Sequence, residues 1–237
     1  MTKDGDTEWR VLAHEPLEAL AENLWRVVGD LPKMKLRRQM LVARAADGRL
    51  LIHNGVCVDE ATLAELEAWG RPTWLVVPNA FHRLDAAAWK ARFPELELVC
   101  PMGARAKVSE VVHVDETYAS FEPTETLRLL HLRGVQNAEG VLEVRSEGGV
   151  TLVFNDAIFN QPHLPGLFGA LYRVMGQSGK PKITMIAKRL LVKDRKALAA
   201  HLRQLADTPD LVRAVPAHIE PIEGDVGAVL RELADGL

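Results

Sequence analysis

The residues best suited to chemistry follow a buried strand in the first half of the chain. The apolar run Thr73–Val77 predicts this strand, and the turn after it carries His82 and Asp85 before an alanine-rich helix. Imidazole and carboxylate groups bind metal ions and transfer protons. The pattern therefore indicates a site for a metal ion or for acid–base chemistry where the strand ends.

The segment Trp74–Asp85 resembles a motif of the metallo-β-lactamase superfamily. In that family a strand ends in a His-x-His-x-Asp-His turn that supplies metal ligands. Laid onto this sequence, the four ligand positions of the turn fall on Ala80, His82, Leu84 and Asp85. Only His82 and Asp85 carry groups that can bind a metal, and Asp85 is a substitution.

Two later segments resemble further motifs of the same superfamily. Val150–Phe159 is similar to the family's strand and Gly-Asp-x-Phe turn, which places Asp156 at the bridging carboxylate, with Asn155 in place of glycine. Ala214–Pro221 is similar to the family's Pro-Gly-His loop, which places His218 at the last ligand position. The resemblance runs from about residue 22 to the end of the chain.

One ligand position of the family has no counterpart in this sequence. The histidine of a Gly-His turn falls near Gly134-Val135-Gln136, where no good ligand stands. By contrast, Ile52–Gly55 resembles the family's strand that ends in Asp-x-Gly. The resemblance implies the family's fold, an α/β protein in which two mixed sheets pack face to face with helices outside, an αββα sandwich.

The family's chemistry implies a metal-dependent hydrolase with a reduced site. Intact members hold two zinc or iron ions that activate a water molecule. Here the resemblance leaves two histidines and two carboxylates. These four residues suffice to bind one divalent zinc, iron or manganese ion, and the alternative is a site that binds no metal. The predicted metal ligands are His82, Asp85, Asp156 and His218, and Asp156 is also the predicted catalytic base.

Each of these residues also has a purely structural interpretation. Asp85 precedes Ala-Ala-Ala and can cap the helix, and His82 can hold the turn by a hydrogen bond to a neighbouring loop. Asp156 can form an Asx-type turn, and His218 can be a solvated loop residue. The alternative function is therefore a metal-free descendant of the fold that binds a small molecule or a protein.

The pattern of predicted elements agrees with two similar halves. Short strands joined by the Asp47-Gly48 turn precede a helix from Asp59 to Trp69, and α/β units follow. A strand meander opens the second half from Thr126 to Phe154. Helices then follow at about Leu167–Met175, Asp194–Leu205 and Asp225–Ala234, with a strand near Leu211–Ala214.

Composition limits the class of protein. The 237 residues, 48% hydrophobic and 26% charged, are typical of a globular protein and fit one large domain or two small ones. Because Pro and Gly are spread through the sequence rather than concentrated in one linker, we predict one domain over residues 1–237. Cys57 and Cys100 indicate buried thiols, and the polar N-terminus and the lack of a long apolar run predict a cytoplasmic protein. The sequence contains no GxxxxGK[ST] or GxGxxG nucleotide motif and no GxSxG nucleophile turn.

The net charge of -3 predicts neither nucleic acid nor membrane as a partner. The basic clusters Lys33–Arg38 and Lys188–Lys196 are interpreted as solvated surface. The partner that we expect is a small-molecule substrate or ligand. The Pro- and Gly-rich segment from Asn160 to Lys182 shapes the entrance to the site or forms a homodimer contact. Asn79, Asn155, Asn160 and His163 are polar residues near this entrance, more typical of turns than of a site.

Overall fold

The computed structural model describes residues 5–32, 34–160, 162–163, 165–174, 178–217 and 220–237. The first half of the chain forms a sheet of seven strands, whose order in space follows their order in the sequence. These strands are β1 (Glu18–Ala21), β2 (Leu24–Leu31), β3 (Met34–Arg44), β4 (Arg49–His53), β5 (Arg71–Val76), β6 (Glu97–Cys100) and β7 (Glu116–Thr117).

The first sheet changes from antiparallel to parallel at β4. Strands β1 to β4 pair antiparallel, and β4 to β7 pair parallel, so the later connections cross over through helices. The β3–β4 hairpin turns at Gly48, whose φ of 84° is accessible to glycine without strain. The crossing helices are α1 (Glu60–Trp69), α2 (Ala86–Arg92) and α3 (Arg105–Val108), the last preceded by a short 3-10 turn, Met102–Ala104.

Helix α1 confirms a prediction from the sequence. The Asp59 carboxylate accepts the backbone N–H of Thr62 at 2.8 Å, which is the expected N-cap bond. Leu63 and Leu66 are buried, and Trp69 stacks on Trp25 of β2 with ring centroids 3.8 Å apart. The capped helix therefore packs its predicted apolar face against the first sheet.

The second half of the chain forms a sheet of five strands in the order β12-β11-β10-β9-β8. All pairs are antiparallel except β10 with β11, which is parallel. The strands are β8 (Leu127–His131), β9 (Gly140–Ser146), β10 (Gly149–Val153), β11 (Leu211–Val215) and β12 (Ile222–Glu223). The helices of this half are α4 (Gly166–Val174), α5 (Met185–Leu190), α6 (Arg195–Ala206) and α7 (Val226–Asp235).

Three apolar clusters show that the two sheets pack face to face. The middle cluster joins residues of both sheets, among them Leu41 and Val76 from the first and Leu142 and Val153 from the second. A second cluster lies between the first sheet and its helices, around Trp89 of α2, and a third lies between the second sheet and α5, α6 and α7. This layering is the predicted αββα sandwich, with two mixed sheets inside.

A polar contact ties the two sheets together at one edge. Gln39 of β3 donates its side-chain N–H to the carbonyl of Pro216 at 2.9 Å, and its backbone N–H to the carbonyl of Ala217 at 3.2 Å. Gln39 is fully buried, so both bonds are shielded from water. The loop after β11 is therefore anchored on the first sheet.

Most predicted elements are present with ends shifted by a few residues, and the short ones were missed. Strands β1, β7 and β12 and helix α5 have only two to six residues, too few for a periodic pattern to stand out. Cys57 and Cys100 are free and buried, as predicted. In the described part of the chain, no helix is long and apolar enough to cross a membrane.

Candidate functional site

The candidate site lies where β4, β5 and β10 end. Asn54 follows β4, the turn with Asn79 and His82 follows β5, and Asp156 follows β10. Strands β4 and β5 run parallel, and β10 belongs to the facing sheet, so loops from both sheets meet at this edge. The sandwich thus brings His82 and Asp156 together from chain positions 74 residues apart.

His82 contacts a side chain on each of its ring nitrogens. Its Nε2 lies 3.1 Å from Oδ1 of Asp156, and its Nδ1 lies 3.1 Å from Oδ1 of Asn54. Asn54 donates its own Nδ2 to the backbone carbonyl of Gln39 at 2.6 Å, which leaves Oδ1 as the atom that accepts. The geometry therefore assigns a proton to Nδ1 of His82 and turns Nε2 toward Asp156.

Asn54 adopts a backbone conformation that suits few residues. Its φ is 59°, in the left-handed region that asparagine tolerates better than most residues. This conformation ends β4 and directs the buried Asn54 side chain to His82. The Asn-Gly pair at 54–55 resembled a family turn in the sequence, and the structure gives Asn54 a role in positioning His82.

Asn79 holds both the turn and the carboxylate of the site. Its Oδ1 accepts the backbone N–H groups of Phe81 at 2.8 Å and of His82 at 3.1 Å, which is an Asx-type turn. Its Nδ2 donates to Oδ2 of Asp156 at 2.8 Å and to Oε2 of Glu139 at 3.3 Å. Asn79 is therefore both a turn former and a direct partner of the candidate site.

Glu139 is a buried carboxylate that sequence reasoning missed. It accepts the backbone N–H groups of Asn155 at 3.2 Å, Asp156 at 3.1 Å and Ala157 at 2.9 Å, and so fixes the turn after β10. Burial raises the pKa of Glu139 to about 8, the charge of Asp156 adds to the rise, and the N–H donors offset part of it. In the sequence, its Asn-Ala-Glu-Gly setting looks like a solvent-exposed loop, so no signal marked it.

Asp85 makes different contacts from those predicted. It stands at the N-cap position of α2, but its side chain makes no cap bond, so that structural interpretation is wrong. Its Oδ2 instead accepts the backbone N–H of Cys57 at 2.9 Å and pairs with the guanidinium of Arg38. The Arg38 and Asp85 side chains are only 4% and 12% exposed, so this is a buried ion pair.

Arg38 also corrects the prediction that residues 33–38 form a solvated basic cluster. Side chains alternate along a strand, and Arg38 therefore shares the face of β3 that carries the buried Met40 and Val42. This face points toward α2, where Asp85 lies. Burial of a guanidinium requires such a carboxylate partner.

The remaining family positions bear no ligand in the described structure. Val135, where the Gly-His histidine would fall, is buried in the apolar cluster of the second sheet and its helices. His218 lies outside the described residues. Among those described, no three His, Cys, Asp or Glu side chains form a group that could hold a metal ion.

The facing atoms Nε2 of His82 and Oδ1 of Asp156 are nevertheless compatible with binding one shared metal ion. Two ligands bound tetrahedrally to zinc at about 2.0–2.1 Å lie roughly 3.3 Å apart. The 3.1 Å between Nε2 of His82 and Oδ1 of Asp156 is close to that separation, and it also suits a hydrogen bond in which Nε2 carries a proton as well. Metal-binding histidines commonly donate their other ring N–H to an oxygen, as His82 does to Asn54.

Two buried polar side chains lie near the site without hydrogen-bond partners among the described residues. They are His53, at the end of β4, and Asn155, next to Asp156. Burial lowers the pKa of His53 to about 3, and the nearby His82 contributes to the decrease. Unpaired buried groups are uncommon in folded proteins, and here they adjoin the residues of the candidate site.

Asn160 and His163 contact other loops. Asn160 donates to the backbone carbonyls of Glu220 and Pro221 at 3.0 and 3.2 Å, and His163 lies 2.9 Å from the hydroxyl of Ser178. These contacts fit their interpretation as loop formers.

Two adjoining cavities open at Asp156, and one of them also borders His82. One, of about 280 Å³, has mostly apolar walls and is called the apolar cavity. The other, of about 260 Å³, combines apolar residues such as Leu31 and Leu84 with Arg38, Asn54 and His82, and is called the polar cavity for these last three side chains. Leu36, Phe81 and Asp156 line both cavities. Phe159 and Thr184, which flank the Pro- and Gly-rich segment, line the apolar cavity.

Comparison with solved structures identifies the fold. The chain is similar to a metallo-β-lactamase from Erythrobacter litoralis, with a TM-score of 0.60, 17% identity and coverage of 93% of this chain and 96% of that one. It is similar to a metallo-β-lactamase from Pontibacter korlensis, with a TM-score of 0.61, 13% identity and coverage of 95% and 100%.

A third similar structure is the metallo-β-lactamase FIM-1 from Pseudomonas aeruginosa in its mono-zinc form. Its TM-score is 0.59 at 10% identity, with coverage of 97% of this chain and 98% of that one. No family model and no curated protein matches the sequence. The chain therefore has the metallo-β-lactamase fold, as its sequence motifs predicted.

Proposed function

We propose that this protein is a hydrolase-type enzyme whose site binds a single divalent metal ion. One observation carries the proposal: Nε2 of His82 faces Asp156 at 3.1 Å, while Nδ1 is held by Asn54. His82 and Asp156 would hold the ion together with His218, whose loop is anchored on Gln39 through Pro216 and Ala217. Zinc, iron and manganese all suit such a set of imidazole and carboxylate ligands.

The protein's own residues set the geometry for hydrolysis. Asn54 fixes the tautomer of His82, and Asn79 holds Oδ2 of Asp156 so that Oδ1 points to His82. Asp156 is then placed to accept a proton from the attacking water. A divalent ion bound here would supply Lewis acidity, polarising the carbonyl or phosphoryl oxygen of the substrate.

The contacts of Asp85 argue against a second metal ion. Its carboxylate is paired with the buried guanidinium of Arg38, and its neighbour Leu84 offers no ligand. Arg38 therefore occupies the charge-balancing role that a second cation would have. Arg38 also lines the polar cavity, with its charge balanced by Asp85.

A metal-free binding protein is the second candidate function. It is favoured by the contacts among His82, Asp156, Asn79 and Glu139, which satisfy one another without an ion. In that case the cavities would bind a small molecule, and Asp156 would have a structural role. The two candidates differ in whether the protein retains metal.

Metal content of the tag-free protein, measured by mass spectrometry, tests the proposal. We expect about one equivalent in the wild type and its loss in Asp156→Ala and His218→Ala, because each variant removes one ligand. The matched control is Asp85→Asn, which alters the Arg38 pair and is expected to retain the metal. Circular dichroism checks that all variants are folded.

Two results would contradict the single-ion site. If the wild-type protein stays metal-free after incubation with zinc, iron or manganese, the metal-free binding protein is the candidate function that remains. Loss of metal in Asp85→Asn, with the fold intact, would show that Asp85 is a ligand after all. A loaded protein justifies a screen of ester, thioester, amide and phosphodiester substrates.

The wider setting is part of this proposal. We expect one domain over residues 1–237, a cytoplasmic location and a small-molecule substrate as the partner, without nucleic acid or membrane. Homodimer formation is compatible with the exposed apolar residues of α4 and α5 and can be measured by light scattering.

A further inference from the structure

We propose that the substrate carries a linear apolar arm, such as an acyl chain, that lies in the apolar cavity beside α5. Its hydrolysable carbonyl then lies next to Asp156, at the boundary with the polar cavity. The assignment of the carbonyl rests on the proposed hydrolase function, whereas the binding of the arm can be tested without it.

The walls of the apolar cavity define the chemistry of the arm. Aliphatic and aromatic side chains form most of its lining, and its polar side chains are Asp156 and Thr184. The Thr184 hydroxyl oxygen accepts the backbone N–H of Ala187 at 3.1 Å as the N-cap of α5, so one of its acceptor positions is engaged. The apolar residues of the lining are Leu36, Phe81, Phe159, Ile186, Ala187, Leu190 and Leu191.

The position of Asp156 orients the ligand. Asp156, Leu36 and Phe81 line both cavities, and His82 and Arg38 line only the polar one. A molecule whose apolar arm fills the first cavity therefore presents its polar end to Asp156 and His82. The reverse orientation would leave the apolar arm against Arg38 and the polar end among aliphatic side chains, which is unfavourable.

Size and surroundings favour a linear arm. A volume of about 280 Å³ is near the lower limit for ligand pockets. The cavity borders Ile186 and Leu190, which are both largely exposed. A chain longer than the cavity can thus continue along α5.

A chain-length series of linear methyl ketones tests the arm directly. These ketones carry a carbonyl and cannot be hydrolysed, so their binding to chelator-treated protein, followed by ligand-observed NMR, does not depend on metal or turnover. Each methylene that enters the cavity should tighten Kd about fourfold until the cavity is filled. Affinity independent of chain length would overturn the proposal.

A pair of adjacent variants locates the binding site. Ile186 and Met185 are each 58% exposed on α5, but only Ile186 lines the described cavity. Ile186→Asp should weaken binding of the longest ketone at least tenfold, and Met185→Asp should leave it within twofold. If both variants weaken ketone binding equally, the ketone binds a surface patch and the cavity assignment is refuted. The same conclusion follows if the protein binds no ketone but adsorbs to phosphatidylcholine vesicles, and both variants weaken that adsorption equally.

The outcomes separate this inference from the proposed function. His82→Ala should abolish metal-dependent hydrolysis and leave the chain-length dependence of ketone binding unchanged. If the protein binds no metal but shows the fourfold dependence of ketone binding on chain length, the apolar-arm inference stands and the proposed hydrolase function fails. If the protein binds metal but lacks that dependence, the proposed function stands and the inference of an apolar arm fails.

Discussion

The two cavities form one cleft, and the carboxylates on its two sides, Asp156 and Asp85, have different surroundings. On one side, the Asp156 carboxylate faces a histidine whose other nitrogen is held by Asn54. On the other side, the Asp85 carboxylate faces the buried Arg38 guanidinium. Both aspartates fall on ligand positions of the family motif, yet only Asp156 is directed toward another potential ligand.

This difference shows how a buried carboxylate at a motif position can be paired without a metal ion. A buried carboxylate needs a positive or hydrogen-bonding partner, and removal of a metal ion takes that partner away. At Asp85 the protein supplies a fixed cation from β3 instead. On the other side, the Asp156 carboxylate instead faces the imidazole of His82 and accepts the side-chain N–H of Asn79.

The largest expected effect comes from breaking the Arg38–Asp85 pair. Asp85→Ala leaves the guanidinium buried without its carboxylate, and we expect a loss of about 3–5 kcal/mol in the free energy of unfolding. Urea denaturation followed by tryptophan fluorescence measures this loss. A loss below about 1 kcal/mol would mean that Arg38 finds another partner and that the two sides of the cleft differ less than described.

The matched control removes both charges of that pair. Arg38→Met combined with Asp85→Leu keeps apolar volume on both sides and should recover most of the lost stability. Recovery shows that the single variant suffers from an uncompensated charge. If the double variant is as unstable as Asp85→Ala, the lost bond to Cys57 is responsible instead.

An intermediate effect is expected on the other side of the cleft. Asn54→Gly removes the oxygen that holds Nδ1 of His82 but keeps a residue suited to a φ of 59°. Metal affinity, measured by competition with a chelating dye, should fall about 10–100-fold. Gln136→Gly, at a similar φ of 51° in another loop, is the control and should leave the affinity unchanged.

The smallest effect tests a titratable group outside the cleft, so that acid effects within the cleft can be separated from it. The Nδ1 of His201 accepts the backbone N–H of Arg133 at 3.0 Å, and burial, followed by the charge of Arg133, lowers the pKa of His201 below its usual 6.5. The unfolded state therefore binds more protons just below pH 6.5, and this contribution to stability is lost as pH falls through the folded-state pKa.

His201→Gln should flatten that part of the pH dependence, because glutamine can accept the same bond without titrating. Between pH 7.5 and pH 5, we expect the change in the free energy of unfolding to be about 0.5–1.5 kcal/mol smaller in His201→Gln than in the wild type, measured by urea unfolding. His113→Gln, at a side chain that is 78% exposed, is the control and should leave the pH dependence as it is in the wild type. An unchanged profile in His201→Gln would contradict the role given to its burial.

Much of the fold could be predicted from local sequence signals. The Asp-Gly turn at residues 47–48, the Asp59 cap and the apolar strand Thr73–Val77 each depend on neighbours within a few residues, and the structure contains all three. The motif resemblance placed His82 and Asp156 near each other, and the structure brings them into contact. Their ligation of a metal, and that of Asp85 and His218, stays a prediction.

The partners of the site residues could not be predicted in the same way. Asp85 meets Arg38 across 47 residues, and Glu139 meets Asn79 across 60, so neither contact leaves a local pattern. A basic run and a polar loop are ordinarily solvated, and only the packing of β3 against α2, or of the two sheets, reveals that Arg38 and Glu139 are buried. The burial and the partners of Arg38 and Glu139 therefore depend on tertiary packing, which the sequence alone does not show.

The bond from Gln39 to the carbonyl of Pro216 has a consequence for how the molecule is made. Its two residues are 177 positions apart, so a nascent chain on the ribosome can form the first sheet long before the loop after β11 emerges. Closure of so long a loop is among the slowest kinds of contact in folding. The cleft is therefore expected to be completed late, and incomplete translation products would carry a formed first sheet without a finished site.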